Sequence, residues 1–337
     1  MFMNYGSSVK EGFRVVNRRW QLVLIRIVAS IINCAAFFII VGIPLFIAIM
    51  VAGVELATTN AGALLAGLKD AFLRGYFAIS ILVLTSILLY ITFAAFLWLY
   101  VLSGSMGIVA RELTGPGGEF SLKTFFAEAR KHFMPLTRFY TLVGLGIMLV
   151  SIVIGVAVGG AVYLTEVLKD ASTFLGLILG VVLNAFVVLL AIFALFGSVA
   201  VSTFGAGIVI MEGEKAWPAT KKTIKFLERH PQGFWAYSTL LIGYFVISVL
   251  LLAFSYPFRL LPIIGTIIVL PYQLIAYGIE RYFGLGLIGS AFSYYLRYEG
   301  GRTSGAGPVP PQAPEGPAPQ AEAGPEAPSQ TPPQETA

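Results

Sequence analysis

The sequence predicts an all-α, polytopic integral membrane protein of about six transmembrane helices. They are arranged as three helical-hairpin repeats, each preceded by a cytoplasmic amphipathic helix. Three observations carry this. Apolar residues make up 57% of the 337 positions and charged residues only 12%, against about 25% charged in soluble domains, and the mean hydropathy is +0.84. The apolar residues gather in six long stretches. The basic residues gather between those stretches, on alternate sides.

A helix needs about 20 apolar residues to cross roughly 30 Å of hydrocarbon. The stretches that meet this length are residues 20–52, 76–110, 139–164, 174–211, 234–256 and 261–298. Six crossings follow, with seven as the alternative if the last stretch divides. The first is well beyond the 7–15 residues of a signal-peptide core and reads as a crossing rather than a cleaved leader. The charges then orient the chain. Lys10, Arg14, Arg18, Arg19 and Arg26 flank the first crossing. Two further groups of five lie between crossings two and three and between crossings four and five, and Arg297 and Arg302 follow the last. Seventeen of 22 basic residues thus fall on one side, with Lys69, Arg74, Lys169 and Arg259 opposite. The positive-inside rule puts both termini in the cytoplasm, with the protein in the cytoplasmic membrane.

The basic segments repeat. Val9, Phe13, Val16 and Trp20 share their spacing with Leu122, Phe126, Ala129 and Phe133, and with Thr220, Ile224, Leu227 and Pro231. Lys10, Lys123 and Lys221 correspond, as do Arg19, His132 and His230. Each set reads as a short helix with an apolar stripe and a cationic face at the cytoplasmic interface. The exits of the returning crossings also agree, through Gly107-Ile108-Val109-Ala110-Arg111-Glu112 and Gly207-Ile208-Val209-Ile210-Met211-Glu212. The repeats span roughly 1–112, 113–212 and 213–300. The order of basic helix, hairpin and final crossing, closing in Tyr294-Tyr295-Leu296-Arg297-Tyr298-Glu299-Gly300, resembles a group of uncharacterised multi-pass proteins. That group is similar to the membrane region of bacterial glycerophosphodiester phosphodiesterases. The resemblance implies a membrane module over residues 7–300 and carries no catalytic residue, because the catalytic domain of those enzymes is a separate soluble barrel.

The residues from 303 onward contain ten prolines, four glutamates and no Lys or Arg. Such a composition predicts a disordered cytoplasmic tail with polyproline II character, over about 301–337. It also offers PxxP-like spacing to a protein partner, at Pro308-Val309-Pro310-Pro311 and Pro314-Glu315-Gly316-Pro317.

Chemistry-bearing residues are few. One cysteine excludes an internal disulfide, and Cys34 reads as a small packing residue among apolar neighbours. No nucleophilic triad, paired-carboxylate arrangement, HExxH motif or phosphate loop occurs, so no catalytic residue, metal ligand or cofactor is expected. The intramembrane polar candidates are Asn33, Asn184, Glu280 and Arg281, because ionisable groups inside a membrane are costly and mark functional sites. Two placements of Glu280-Arg281 stand open. An unbroken last helix puts the pair toward the outer leaflet, beside a polar cavity. A crossing that ends at Ile279 puts it at the cytoplasmic interface, with residues 282–298 along the surface. Arg26 reads as snorkelling to the inner headgroups. The lipid-interface candidates are Lys10, Arg14, Arg18, Arg19, Lys123, Arg130, Lys131, Lys221, Lys222, Lys225 and Arg229. Each contributes about 1 kcal/mol near an anionic leaflet. Nucleic acid is a poor account of these dispersed cations, and anionic inner-leaflet lipid is the expected partner. The function expected is a non-enzymatic module organising lipids or a partner protein. The alternative is a small-solute transporter or channel with its site near Glu280-Arg281. The oligomeric state is not legible.

Overall fold

A computed structural model describes residues 3–58, 76–115, 118–259 and 264–300. The Pro-rich segment 301–337 and Lys69, Arg74 and Arg302 lie outside the described residues. The chain forms two compact units, Met1–Leu296 and Arg297–Ala337. The described part of the second, residues 297–300, continues the π turn Leu296–Gly300.

The described residues are helical with short connections. The elements are α1 (Met3–Arg18), α2 (Gln21–Phe37), a π turn (Phe38–Gly42), α3 (Ile43–Thr58) and α4 (Tyr76–Thr114). They continue as α5 (Leu122–Ala171), α6 (Thr173–Glu212), α7 (Ala216–Arg229), α8 (Pro231–Arg259) and α9 (Ile264–Tyr295). Five stretches are long and apolar enough to cross a membrane: Gln21–Met50, Ser80–Thr114, Leu122–Asp170, Thr173–Glu212 and Pro231–Pro257. The sixth apolar stretch of the sequence forms α9, one 32-residue helix. It runs unbroken through Pro271, Glu280 and Arg281. The alternative with residues 282–298 along a surface is therefore not the one adopted, and residues 289–295 are all buried.

Local chemistry sets the helix ends. The turn at Arg19-Trp20 keeps the backbone bonded, with Leu22 N–H donating to Arg19 C=O at 2.9 Å. Ser121 caps α5 by accepting from Thr124 N–H at 3.1 Å, which satisfies one of the four free donors of a helix start. Gly213, at φ 69°, closes α6 in the left-handed region that glycine enters without steric cost. Pro231 opens α8 at a position where its missing N–H is not needed.

The hydrophobic core sits at one end of the bundle. α4 and α6 have 39 and 40 residues, about 58–60 Å of rise, nearly twice the hydrocarbon thickness of roughly 30 Å. Their apolar side chains are exposed over most of that length, as at Leu88, Leu89 and Ile91, or Val181, Val182 and Phe186. Their C-terminal ends change character: residues 102–110 and 203–210 are buried at every position. With residues 289–295 of α9 they form a three-helix centre, wrapped by α1, the start of α5, and α7. Small residues bring the wrapping close. A Cβ on Gly104 would lie 2.7 Å from the Phe125 ring, and one on Gly205 would run into the Phe139 ring. Phe204, Phe226, Tyr237, Tyr294 and Tyr295 fill the centre, with neighbouring ring centroids 5.1–6.4 Å apart. Buried hydroxyls satisfy themselves on their own helices, Ser103 on Leu99 C=O and Ser105 on Val101 C=O.

α1 runs antiparallel along α9. Tyr5 meets Tyr294 at 5.4 Å between rings, Ser293 donates to Glu11 at 2.5 Å, and Phe13 meets Phe283 at 5.7 Å. Its buried face is Ser8, Gly12, Val15 and Val16, with Arg19 buried just beyond its end. In α7 the buried face is Ala219, Thr223 and Phe226, and at the start of α5 it is Phe125, Ala129 and His132. The apolar stripe read from the sequence divides: Val16 and Ala129 are buried, while Trp20, Leu122, Phe126 and Ile224 are between 45% and 59% exposed.

Candidate functional site

α2 carries a stripe of small and polar residues at Arg26, Ala29, Ser30 and Asn33, at the i, i+3, i+4, i+7 spacing that shares one helix face. That face turns toward α4 and α9. Between the three helices lies a cavity of ≈ 170 Å³, walled by α2, by residues 94–102 of α4, and by Tyr277 and Arg281 of α9. It sits at the level where α4 passes from exposed apolar residues to its wholly buried end. Trp98, 53% exposed, stands at the rim.

The cavity is cationic. Both Arg26 and Arg281 line it, and no carboxylate is among its lining residues. Arg26 donates from Nε to Ser105 Oγ at 3.3 Å, while its Nη2 is buried with no partner among the described residues. The Arg281 guanidinium lies over the Tyr277 ring, 4.2 Å from the centroid, and its Nε is likewise buried and unpaired. Asn33 donates from Nδ2 to Tyr90 Oη at 3.0 Å and leaves Oδ1 buried without a partner. Two like charges thus line one space.

The intramembrane candidates of the sequence separate. Asn33 and Arg281, 248 positions apart, come together here. Glu280 does not line the cavity, since its neighbour on a helix points about 100° away. Asn184 is exposed and donates to Gly180 C=O of its own helix at 2.7 Å, so it bridges no helices. Asn33→Leu is accordingly expected to cost about 0.6–2 kcal/mol and Asn184→Leu close to nothing, read as the shift in a detergent unfolding titration. Arg26, read from the sequence as a snorkelling residue, also lines the cavity. The small-polar stripe on α2 was the available signal. Cys34 is corrected: it is exposed, because it falls just off the face that packs against α4 and α9.

The lipid-interface candidates divide as well. Lys10, Arg14, Lys123, Arg130, Lys131, Lys221, Lys225 and Arg229 are exposed. Lys221 lies over the Trp217 ring, 5.2 Å from its centroid. The others are engaged by carboxylates. Glu112 receives Arg19 at 2.7 Å and Arg18 at 3.2 Å, and Glu212 receives Lys222 and the Tyr295 hydroxyl. His132, buried, pairs with Glu128 at 3.2 Å, within a network that includes Arg111.

Comparison with protein-family models, with curated proteins and with solved structures gives no match.

Proposed function

We propose that this chain is a multi-pass protein of the cytoplasmic membrane that organises anionic lipid at the inner face, without a chemical reaction of its own. Both termini are taken as cytoplasmic, and α9 as the sixth crossing. The observation that carries the reading is the double exposed surface of the short basic segments. Trp20, Phe126, Trp217 and Ile224 are exposed beside exposed Lys10, Arg14, Lys123, Lys221 and Lys225. An apolar surface and a cationic surface, flanking a third face that packs on the bundle, suit a helix held at an anionic headgroup layer.

The threefold repeat belongs to the same proposal. In support, α4, α6 and α9 each carry a fully buried segment at or near the C-terminal end. Glu112 and Glu212 occupy equivalent exits, and each takes a cation from a short basic helix, Arg18 of α1 or Lys222 of α7. The middle unit differs in having its basic segment fused into α5 ahead of Pro135.

The test reads the interface directly. In a variant keeping Trp217 as the single tryptophan, reconstituted in mixed bilayers, brominated phosphatidylglycerol is expected to quench more strongly than brominated phosphatidylcholine. Lys221→Gln with Lys225→Gln should remove that preference, at about 1 kcal/mol per charge. Equal quenching in the parent would refute the lipid-organising reading.

The cationic cavity favours a second reading, transport of a small anionic solute. Saturable anion flux into proteoliposomes, lost in Arg281→Gln, would establish it in place of the first.

A further inference from the structure

The cavity between α2, α4 and α9 asks for a ligand more specific than a charged leaflet. Its two guanidinium groups come from helices distant in sequence and line the same space. Like charges brought together inside a bundle repel, and the cavity wall answers them with the Tyr277 ring under Arg281 but with no carboxylate. Arg26 Nη2 and Arg281 Nε are unused donors, and an unpaired buried polar group is unfavourable. An oxyanion that accepts from both arginines removes the repulsion. Phosphate fits best, since guanidinium donors match its spread oxygens.

The position of the cavity then selects the source. α4 is buried on all sides below Leu102 and carries exposed apolar residues above the rim, including Ile91, Phe96 and Trp98. A ligand with its phosphate on the arginines meets that apolar surface next. The volume of ≈ 170 Å³ is below the about 300–1,000 Å³ that encloses a whole drug-sized ligand. It takes a headgroup and leaves acyl chains outside.

We propose that this cavity is a binding site for the phosphate headgroup of a single anionic phospholipid, clamped by Arg26 and Arg281, with its acyl chains lying along α4 past Trp98. The proposal rests on the membrane-embedded, lipid-organising reading above and deepens it.

The experiment is thermal unfolding of the full chain in neutral detergent, titrated with phosphatidylglycerol, phosphatidylcholine or inorganic phosphate. Phosphatidylglycerol is expected to raise Tm saturably, at one lipid per chain by native mass spectrometry, while phosphatidylcholine and millimolar phosphate do not. Arg281→Gln and Arg26→Gln should each weaken binding about tenfold or more, as loss of a charged hydrogen bond implies. The same variants should hold or raise the Tm without lipid, because repulsion is relieved; a merely structural arginine would lower it. Ser30→Phe fills the cavity while keeping both cations, and should abolish the lipid-dependent rise even if an arginine variant fails to fold. Equal effects of the two lipids, or wild-type binding by Ser30→Phe, would overturn the proposal. Saturation by inorganic phosphate alone would also overturn it, in favour of a free-anion site. Trp217 quenching in parallel samples does not involve the cavity. Loss of headgroup binding with that preference intact overturns this inference alone, and loss of both overturns the reading beneath it.

Discussion

Gly12→Ala is expected to prise α1 from α9 and to destabilise the bundle by about 3 kcal/mol. Overpacking a filled contact typically costs about 1–3 kcal/mol and occasionally more. The upper end applies because the obstruction is backbone. A Cβ at Gly12 would lie 2.6 Å from the Gly289 carbonyl carbon and 2.7 Å from Ser290 Cα. No rotamer change relieves such a contact, so one helix must move. Movement then loosens the pairs that run along the same seam, Tyr5 with Tyr294, Glu11 with Ser293, and Phe13 with Tyr282 and Phe283. Gly6 supplies the control within the same helix. It is exposed, and a Cβ there meets nothing within 4 Å, so Gly6→Ala should stabilise by up to about 1 kcal/mol through helix propensity. Unfolding of both variants in detergent, with protease cleavage within α1 as a local readout, checks the pair. Equal responses at positions 6 and 12 would mean that the close α1–α9 seam does not exist in the protein.

This seam also shows what the sequence could not convey. The spans were legible because a bilayer demands long apolar runs, and α2, α4, α5, α6 and α8 follow those runs. The packing faces were less so. In a soluble protein the apolar stripe of a helix points to the core. Here the surroundings are apolar too, and small residues set the approach of helices. The stripe of Val9, Phe13, Val16 and Trp20 is visible in the sequence, but the face that packs closest is centred on Ser8, Gly12 and Val15. In α7 the same displacement appears, with Ala219, Thr223 and Phe226 buried one position before Thr220, Ile224 and Leu227. Hydropathy ranks Phe126 or Ile224 above Gly12 or Thr223, and so it finds Val16 and Ala129 but passes over the small residues packed beside them.

The cavity was half legible. Arg281 and Asn33 stood out as polar residues in apolar runs. Their meeting did not, because it depends on α9 packing beside α2 and on α4 closing the third side, contacts between segments up to 255 positions apart. Arg26 hid its partner for a related reason. Its distance along the chain from the first crossing's start suits a snorkelling side chain, and only the packed bundle shows Ser105 of α4 within its reach.

Glu112→Ala is expected to have the second large effect, about 3–5 kcal/mol, because it strands a buried cation. The Glu112 side chain is 6% exposed and that of Arg19 is 10% exposed. Arg19 reaches the carboxylate at 2.7 Å, and its Nη2 donates to Gly118 C=O, also at 2.7 Å. Arg18, 68% exposed, adds a contact that solvent largely screens. Removing Glu112 therefore leaves Arg19 desolvated at the turn between α1 and α2, where it also holds the segment after α4. Arg19→Met in the Glu112→Ala background should recover much of the loss, since an apolar pair in place of a buried ion pair is often neutral or better. Arg18→Ala should change stability by less than about 1 kcal/mol. The double-mutant cycle isolates the buried pair from its exposed neighbour. A loss at Glu112 that Arg19→Met leaves unrelieved would show that the carboxylate serves something other than this cation.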